Sequence, residues 1–534
     1  MKTNLLSSIL FIAVLFSYNS NFSQAPNLGT AADFVLFSSV GAVTNTGISQ
    51  LTGNVGTNNG SSTGFGNVNG VMHAGDGATA QCTADLTLAY NQLNSTIPNF
   101  FPAPLLGNGQ ILTAGVYSIG SAATFNGNLT LNAQGNENAV FIIKIQGAFA
   151  SGANAAVLLT NGAQACNVFW KIEGLVSLAA GTSFKGTLIA HNAAINLNTG
   201  VILEGRALST TGAVMVNGVL SFTPIGCGSP VLNGPIAPSL GAATCFTIFS
   251  SNGSVSNSGV TTVTGDVGTN VGLTTGFSSL SVNGMIHAIP DVSTAQAAAS
   301  LLLTNTYLTS LPEDIELLYP AQFGRDLVLT PHTYLLNAAT VLTGAVYLDA
   351  QNNSDAVFII KINGALSTGT YSKVILINGA QAKNVYWKIN GAVLLRDYTE
   401  FEGTIIANNG AVNLTTGTIL NGRAFTTAGA IGTVAIAAIL TEACVLATQT
   451  FESSQKAIIY PNPFQSTTTI TLNDDFNFNQ SKIIIYNAFG SEVAQSSLSE
   501  TTTTLELNKL PSGFYFYTIS SQDKIIQSGK LISK

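Results

Sequence analysis

From Ala139 to Gly218 the chain reads AVFIIKIQGAFASGANAAVLLTNGAQACNVFWKIEGLVSLAAGTSFKGTLIAHNAAINLNTGVILEGRALSTTGAVMVNG, and from Ala356 to Ala435 it reads AVFIIKINGALSTGTYSKVILINGAQAKNVYWKINGAVLLRDYTEFEGTIIANNGAVNLTTGTILNGRAFTTAGAIGTVA. The two align without a gap at an offset of 217 (356 − 139), which carries Trp170 to Trp387, Asn161-Gly162 to Asn378-Gly379 and Gly205-Arg206 to Gly422-Arg423. The chain is a tandem duplication. Inside each copy lies a finer period: GTSFKGTLIA from Gly181 superposes on GVILEGRALS from Gly200, and AINLNTG from Ala194 on AVMVNG from Ala213, both at a shift of 19. Each unit holds short runs of β-branched and aliphatic residues in period-two alternation, broken by Gly, Asn and Thr, which read as strands and tight corners. Three short strands per roughly 20-residue turn predict a parallel β-solenoid of triangular section. The runs Phe141 to Ile145 and Phe169 to Ile172 sit 27 or 28 residues apart, so some coils carry longer corners.

Outward from this repeat the duplication continues. LGTAADFVLFSSVGAVTNTG at Leu28 is answered by LGAATCFTIFSSNGSVSNSG at Leu240, TGNVGT at Thr52 by TGDVGT at Thr264, GVMHA at Gly70 by GMIHA at Gly284, and ILTAGVYSI at Ile111 by VLTPHTYLL at Val328. The expected domains are residues 27–226 and 239–444, joined by a Pro- and Gly-rich linker at 227–238. Each has one helical segment, Asp76 to Ser95 and Asp291 to Leu311, ended by Pro98 and Pro312. Small and apolar residues recur there at helical spacing: Ala80, Ala84, Leu88 and Leu86, Tyr90, Leu93 in the first, Ala295, Ala299, Leu303 and Leu302, Thr306 in the second. Such a stripe has to bury itself, and the flank of the solenoid is the available partner.

With 534 residues, 46% hydrophobic and only 8% charged, the chain is too apolar to be disordered, and a formal charge of −7 gives no support to nucleic acid or an anionic membrane as partner. Residues 1–25 carry Lys2, an apolar run from Leu5 to Phe16 too short to span a bilayer, and a small-x-small site at Ser23-Gln24-Ala25, as a secretory signal peptide does.

These ordered motifs, LGTAxxF, TNTG, TGxVGT, GxxHA, the Ala-rich helix, LTxGVY, AVFIxKI, NGAQAxNVxWKI, FxGTxxA and LNTGxxLxGR, resemble the bacterial and fungal ice-binding-like family. The resemblance covers both domains. It implies a discontinuous right-handed β-solenoid flanked by one long helix and adsorption to ice, and it places Trp170, Asn161, Gly162, Gly205 and Arg206 in the scaffold. From residue 456, after a second linker at 445–455, IIYPNPFQSTTTITL, GFYFY and a final Gly529-to-Lys534 strand are similar to the C-terminal sorting domain of type IX secretion cargo. That implies a small β-sandwich handled by the secretion machinery, removal of both ends, and delivery outside or onto the outer cell surface. The fold class is therefore mostly β, two tandem solenoids plus a sandwich.

The duplication offers a control on the cysteines. Cys82 and Cys166 are both missing from the second domain, where Ala297 and Lys383 stand, which suggests that they bond to each other. Cys245 and Cys444 bracket the second domain, and a bond between them would clamp its ends; Cys227 is left over. Catalysis finds little to work with. His73 and His287 recur in the GxxHA segment as structural residues, His191 and His332 are unrepeated, and no cluster has metal-ligand spacing, so no metal, cofactor or enzymatic activity is expected. Parallel β-helix polysaccharide lyases share the architecture, but their acidic calcium site and groove base have no counterpart in the scattered charges here.

Ice is a flat lattice of water without net charge, and its complement is a flat, rigid, weakly polar surface. Hydroxyls and amides anchor ordered water while methyl groups leave it cage-like. A solenoid stacks equivalent side chains at ~4.8 Å and so builds such rows. Alternation puts Val176, Leu178, Ile195 and Leu197 inward and Ser177, Ala179, Asn196 and Asn198 outward, with Thr130 and Asn132 outward in LTLN. This face, with Ser151, Asn154, Thr182 and Thr199 at its corners, is the candidate in the first domain; Lys185 and Glu204 mark a neighbouring, charged face. Some family members carry T-A/G-x-T/N on the ice face, and the nearest segment here is Ser151-Gly152-Ala153-Asn154. In the second domain Asn413, Thr415 and Thr416 keep the neutral pattern, whereas Tyr347, Asp349, Leu394 and Arg396 replace Thr130, Asn132, Ser177 and Ala179, so weaker ice binding is expected there. The expected protein is a monomer with ice as its partner. An adhesin for polysaccharide or a partner protein is the alternative, favoured by exposed aromatic rows.

Overall fold

The alternating runs become parallel strands, and equivalent strands stack from coil to coil into three sides. The computed structural model describes residues 24–227, 232–440, 457–472, 481–522 and 524–534; all but the last two residues of the expected signal peptide, the 445–455 linker and Cys444 lie outside them. In the first solenoid one side is an eight-stranded parallel sheet in the order Ser62–Thr63, Val43–Thr46, Val214–Asn217, Ile195–Leu197, Val176–Leu178, Phe149–Ser151, Ala123–Asn126, Leu105–Gly107. We call it the bare side. A second side contains Phe34–Val40, Val168–Ile172, Phe141–Ile145 and Gly115–Ile119, and the third contains Leu220–Phe222, Ala156–Thr160, Asn128–Asn132 and Gln110–Thr113. The eight-residue strands Ser183–Ala190 and Ile202–Ser209 turn the corner between these two, and Gly205 marks the turn: a Cβ there would sit 1.9 Å from the Gly186 carbonyl oxygen.

The winding is discontinuous. Phe34–Val40 pairs with Ile202–Ser209 and Val43–Thr46 with Val214–Asn217, so the first coil lies against the last. Between them the chain crosses to the far end through α1 (Gly77–Ser95), whose 19 residues span about 28 Å, the height of roughly six coils. Asp76 caps the helix, accepting from Thr79 N–H while Thr79 Oγ1 accepts from Asp76 N–H. This cap sets the phase of the buried stripe, which is Thr79, Cys82, Leu86, Ala89 and Leu93. It packs on Val116, Ile142, Phe169 and Leu208 of the second side. Of the expected positions Leu86 and Leu93 are buried and Tyr90 partly so, whereas Ala80, Ala84 and Leu88 face solvent. In α2 (Val292–Ser310) the same one-position error holds: Ala297, Leu301 and Leu308 are buried, and Leu302 and Leu303 are exposed. Alanine satisfies either face, so spacing alone could not fix the phase.

The interior of each solenoid is aromatic at its centre. Trp170 packs among Phe149 and Phe184 and donates its indole N–H to Lys185 O at 3.0 Å; Trp387 does the same to Glu402 O at 2.9 Å. Arg206 is buried and donates through Nε to Ala32 O at 2.7 Å, while Arg423 holds Thr244 O in the second solenoid. The scaffold reading of Trp and Gly-Arg therefore holds.

The disulfide expectation needs correction. Cys166 bonds to Cys227, with Cα atoms 6.0 Å apart, and Cys82 is a free, buried thiol. Cys82 belongs to the seam under α1, where burial pushes its pKa up; Cys166 sits in the turn Ala165–Asn167, whose neighbour Gln164 accepts the Cys227 N–H. The leftover cysteine is thus the partner, and the bond ties the end of the first solenoid to one of its corners. Cys245 is disulfide-bonded.

The C-terminal unit, considered by itself, packs two antiparallel sheets. Ala457–Tyr460, Thr467–Leu472 and Thr502–Glu506 form one; Glu492–Ser497, Lys482–Tyr486, Gly513–Ser521 and Lys524–Ser533 form the other. Ile470, Ile483, Ile519 and Leu531 lie between them, in the sandwich the sequence implied.

Candidate functional site

The three sides of each solenoid differ in what they offer a flat ligand. The second side is covered by the helix. Beneath its end Lys144 is buried, donating to Asn94 O at 2.9 Å and Thr96 O at 2.8 Å, and burial followed by the nearby Lys171 charge lowers its pKa. The third side carries ion pairs: Lys185–Glu204 at 2.6 Å and, in the second solenoid, Lys373–Glu400 at 2.7 Å. Its apolar residues, Ile111, Leu158, Ile202 and Leu220, protrude among them.

On the bare side the strand register generates one outward row across all eight strands: Leu105, Thr124, Ala150, Ser177, Asn196, Met215, Thr44, Thr63. None is charged, and all are at least partly exposed. The second solenoid repeats it as Val341, Ser367, Leu394, Asn413, Gly432, Ser256, Thr275. At Gly432 the missing side chain leaves a trough floored by Asn413, Leu394 and Ser256.

Of the residues expected on one face, the structure brings Ser177, Ala179, Asn196 and Asn198 together on the bare side, and Asn413 with Thr415 in the second solenoid. Asn198 and Thr415 turn their polar ends back onto the preceding coil, Asn198 Nδ2 to Leu178 O at 2.7 Å and Thr415 Oγ1 to Leu395 O at 3.0 Å. Asn154, Thr199 and Thr416 are exposed at the corner. Ser151 and Thr182 are cement: Thr182 is fully buried, their hydroxyls lie 2.7 Å apart, and Ser151 Oγ accepts the Ala179 N–H. Thr130 and Asn132 lie elsewhere, on the third side in register with Ile111, Leu158 and Thr113, Thr160. Alternation fixes inward against outward but not which of three sides a run occupies. Tyr347 and Asp349 are likewise on that side, paired with Ile375 and Ile377, so the contrast between the domains reduces to Leu394 and Arg396. Thr44, Thr63, Thr124, Ala150 and Met215 were missed, although the 19-residue shift already superposed Met215 on Asn196.

Three histidines are engaged by neighbouring side chains. His73 Nδ1 lies 2.7 Å from Asp76 and His287 Nδ1 2.6 Å from Asp291, each beside a helix cap, and His191 stacks on Tyr90. Among the described residues no group of three or more His, Cys, Asp or Glu side chains is arranged to hold a metal.

The Ice-binding-like family matches residues 37–219 and 249–439, one solenoid each. The chain belongs to the ice-binding-like family. Residues 458–534 match the secretion system C-terminal sorting domain. The chain is similar to the ice-binding protein of Nostoc sp. (strain HG1), 39% identical over 224 residues, 41% of this chain and 82% of that protein. It is 26% identical over 474 residues to ice-binding protein 1 of Shewanella frigidimarina (strain NCIMB 400), covering 75% of this chain and 52% of that one. A crystal structure of an ice binding protein from an Antarctic bacterium Flavobacteriaceae is 63% identical, with a TM-score of 0.78 over 79% of this chain and 100% of that chain. That solved relative covers more of this ice-binding-like chain than either solenoid alone could supply.

Proposed function

We propose that the exported protein adsorbs to ice through the bare sides of its two solenoids, as a monomer and without catalysis, slowing ice growth and recrystallisation. One observation carries the reading: among the described residues of each solenoid a single side is neither roofed by a helix nor crossed by ion pairs, and it presents a row of uncharged residues, mostly Ser, Thr, Asn and Ala in the first solenoid, at strand spacing. Hydroxyl, amide and methyl groups in such a row order water without imposing the hydration shell of a charge.

The solenoids meet end to end. Asn67 exchanges two hydrogen bonds with the Tyr319 backbone, and Gly47, Gly64 and Phe65 line one cleft with Gly324, Arg325 and Leu327. Residues 47 and 64 follow bare-side strands of the first solenoid, and 324 closes the first bare-side strand of the second. Like edges meet, so both rows act as one long surface rather than as two tethered ones. The test is thermal hysteresis and recrystallisation inhibition by residues 26–444 and by each solenoid. Absence of activity from all three, each shown folded, overturns the reading.

A further inference from the structure

Between the bare side and the third side the chain turns each coil through one residue in the left-handed region. In the first solenoid this column contains Asn108, Gly127, Asn154, Gly181 and Gly200, with φ of 52°, 60°, 56°, 71° and 74°. These are the residue types that tolerate the conformation. Adding 217 gives the second column: Arg325, Gly344, Tyr371, Tyr398 and Gly417, with φ of 52°, 69°, 59°, 59° and 73°. A bulky side chain at positive φ is an outlier, and the first solenoid shows that the corner does not need one. Two tyrosines are therefore held there against local preference.

Their rings stack, with centroids 5.0 Å apart and planes 7° from parallel. The lower face of Tyr398 is closed, because a Cβ on Gly417 would lie 2.4 Å from its ring. The upper face of Tyr371 is open: this side chain is 66% exposed, and the next position up the column is Gly344, whose absent Cβ would meet nothing nearer than Arg325 N at 4.0 Å. Arg325 follows one coil further, about 10 Å from the Tyr371 level at strand spacing, exposed and held only by a 3.4 Å contact to Gln322. Neither tyrosine hydroxyl has a hydrogen-bond partner among the described residues. An open aromatic face beside a one-residue gap suits a pyranose ring, whose axial C–H groups pack on the aromatic face, and Arg325 two coils along the same column supplies an exposed donor for its ring substituents.

We infer that the second solenoid binds polysaccharide at this corner, with one sugar ring stacked on Tyr371 over Gly344 and an oxygen substituent on Arg325. The test is affinity electrophoresis of the full chain in gels carrying xylan, hydroxyethyl cellulose or alginate. Retardation by at least one is expected, and alginate alone would mark a uronate carboxylate on Arg325. Tyr371→Asn, which installs the first solenoid's residue and suits the corner, should weaken retention about tenfold, the scale of one lost aromatic stack; Tyr371→Trp should keep it. Thermal hysteresis should not change in either variant. No retardation in any gel, or retardation undiminished in Tyr371→Asn, overturns the inference. Loss of hysteresis in Tyr371→Asn also overturns it and places the rings on the ice surface instead.

Discussion

Asn67 and Tyr319 hold each other twice: Asn67 Nδ2 donates to Tyr319 O at 3.0 Å, and Tyr319 N–H donates to Asn67 Oδ1 at 2.8 Å. The side-chain amide of one solenoid thus replaces the neighbouring strand that the end coil of the other lacks. Beside it Asn69 donates to Thr330 Oγ1 at 3.1 Å, and the buried Tyr334 hydroxyl lies 2.7 Å from Asn69 Oδ1. Capping an open sheet end this way satisfies backbone groups that would otherwise face water or another chain.

Asn67→Ala with Asn69→Ala should therefore uncouple the solenoids without unfolding either. Removing Asn69 takes one partner from the buried Tyr334 hydroxyl, which keeps the Thr330 N–H and carbonyl, so the cost is that of one ordinary hydrogen bond, about 1 kcal/mol. Calorimetry should show the solenoid transition splitting in two, and thermal hysteresis should fall toward that of the better single solenoid. One undivided transition with full hysteresis would remove the junction from the account.

The bare side is tested by a matched pair. Ser177 is half-buried in the middle of the uncharged row, and Thr130 is also half-buried, on the side that carries Lys185 and Glu204. Ser177→Tyr raises a ring above the row and should reduce thermal hysteresis several-fold while leaving the melting temperature nearly unchanged, as surface substitutions do. Thr130→Tyr should alter neither. Equal loss in both, or loss only in Thr130→Tyr, would move the ice surface to the third side.

The disulfide makes a stability prediction. Cys166–Cys227 closes a separation of 61 residues, so Cys227→Ser should cost about 2–4 kcal/mol. Cys82 is buried under α1 and free. A maleimide should label it only after denaturation, and Cys82→Ala should lower stability by less than the disulfide variant. Reductant should lower the melting temperature at least as far as Cys227→Ser does, because Cys245 is disulfide-bonded as well.

Much of this was legible in sequence, and the failures share a cause. Duplication, coil period, inward and outward faces, both helices and the sandwich follow from periodicity, because burial imposes it on every strand. What periodicity omits is phase around the axis. Leu129 and Leu131 point inward, yet nothing in LTLN says which of three sides it occupies; an alanine such as Ala80 fits the buried or the exposed face of α1 equally well. The Cys166 partner was hidden because Cys227, although matched to Cys444 by the 217 offset, follows the last strand of the first solenoid and so lies beyond the coil period that places residues on the sides. The junction was hidden as well, since Asn67 and Tyr319 are 252 residues apart.

Acid should weaken the clamp between the N-terminal turn and α1. Asp85 accepts Thr30 Oγ1 at 2.7 Å and Thr30 N–H at 2.8 Å, and these bonds lower its pKa. A depressed carboxylate pKa stabilises the fold fully above the unfolded value of about 4 and loses that contribution as pH falls through the folded value. Melting temperature should be flat from pH 7 to about 5 and decline below about 4, and Asp85→Asn should shallow the decline. Because the group is at the surface, the effect is a modest slope, not acid unfolding.

The two rows differ at their centre, where Leu394 stands in the place of Ser177. A partly exposed isobutyl group rises above the level of Ser367 and Asn413 and offers water no hydrogen bond, so lattice order would have to break around it. Leu394→Ser should raise the hysteresis of the isolated second solenoid, and Ser177→Leu should lower that of the first, each by about two- to fivefold if one row position governs contact with the lattice at roughly 0.5–1 kcal/mol. Inward neighbours Val393 and Leu395 are fully buried and untouched by either change, so folding should be retained. Reciprocal swaps that leave both activities where they were would mean that the row is not the contact, however regular its spacing.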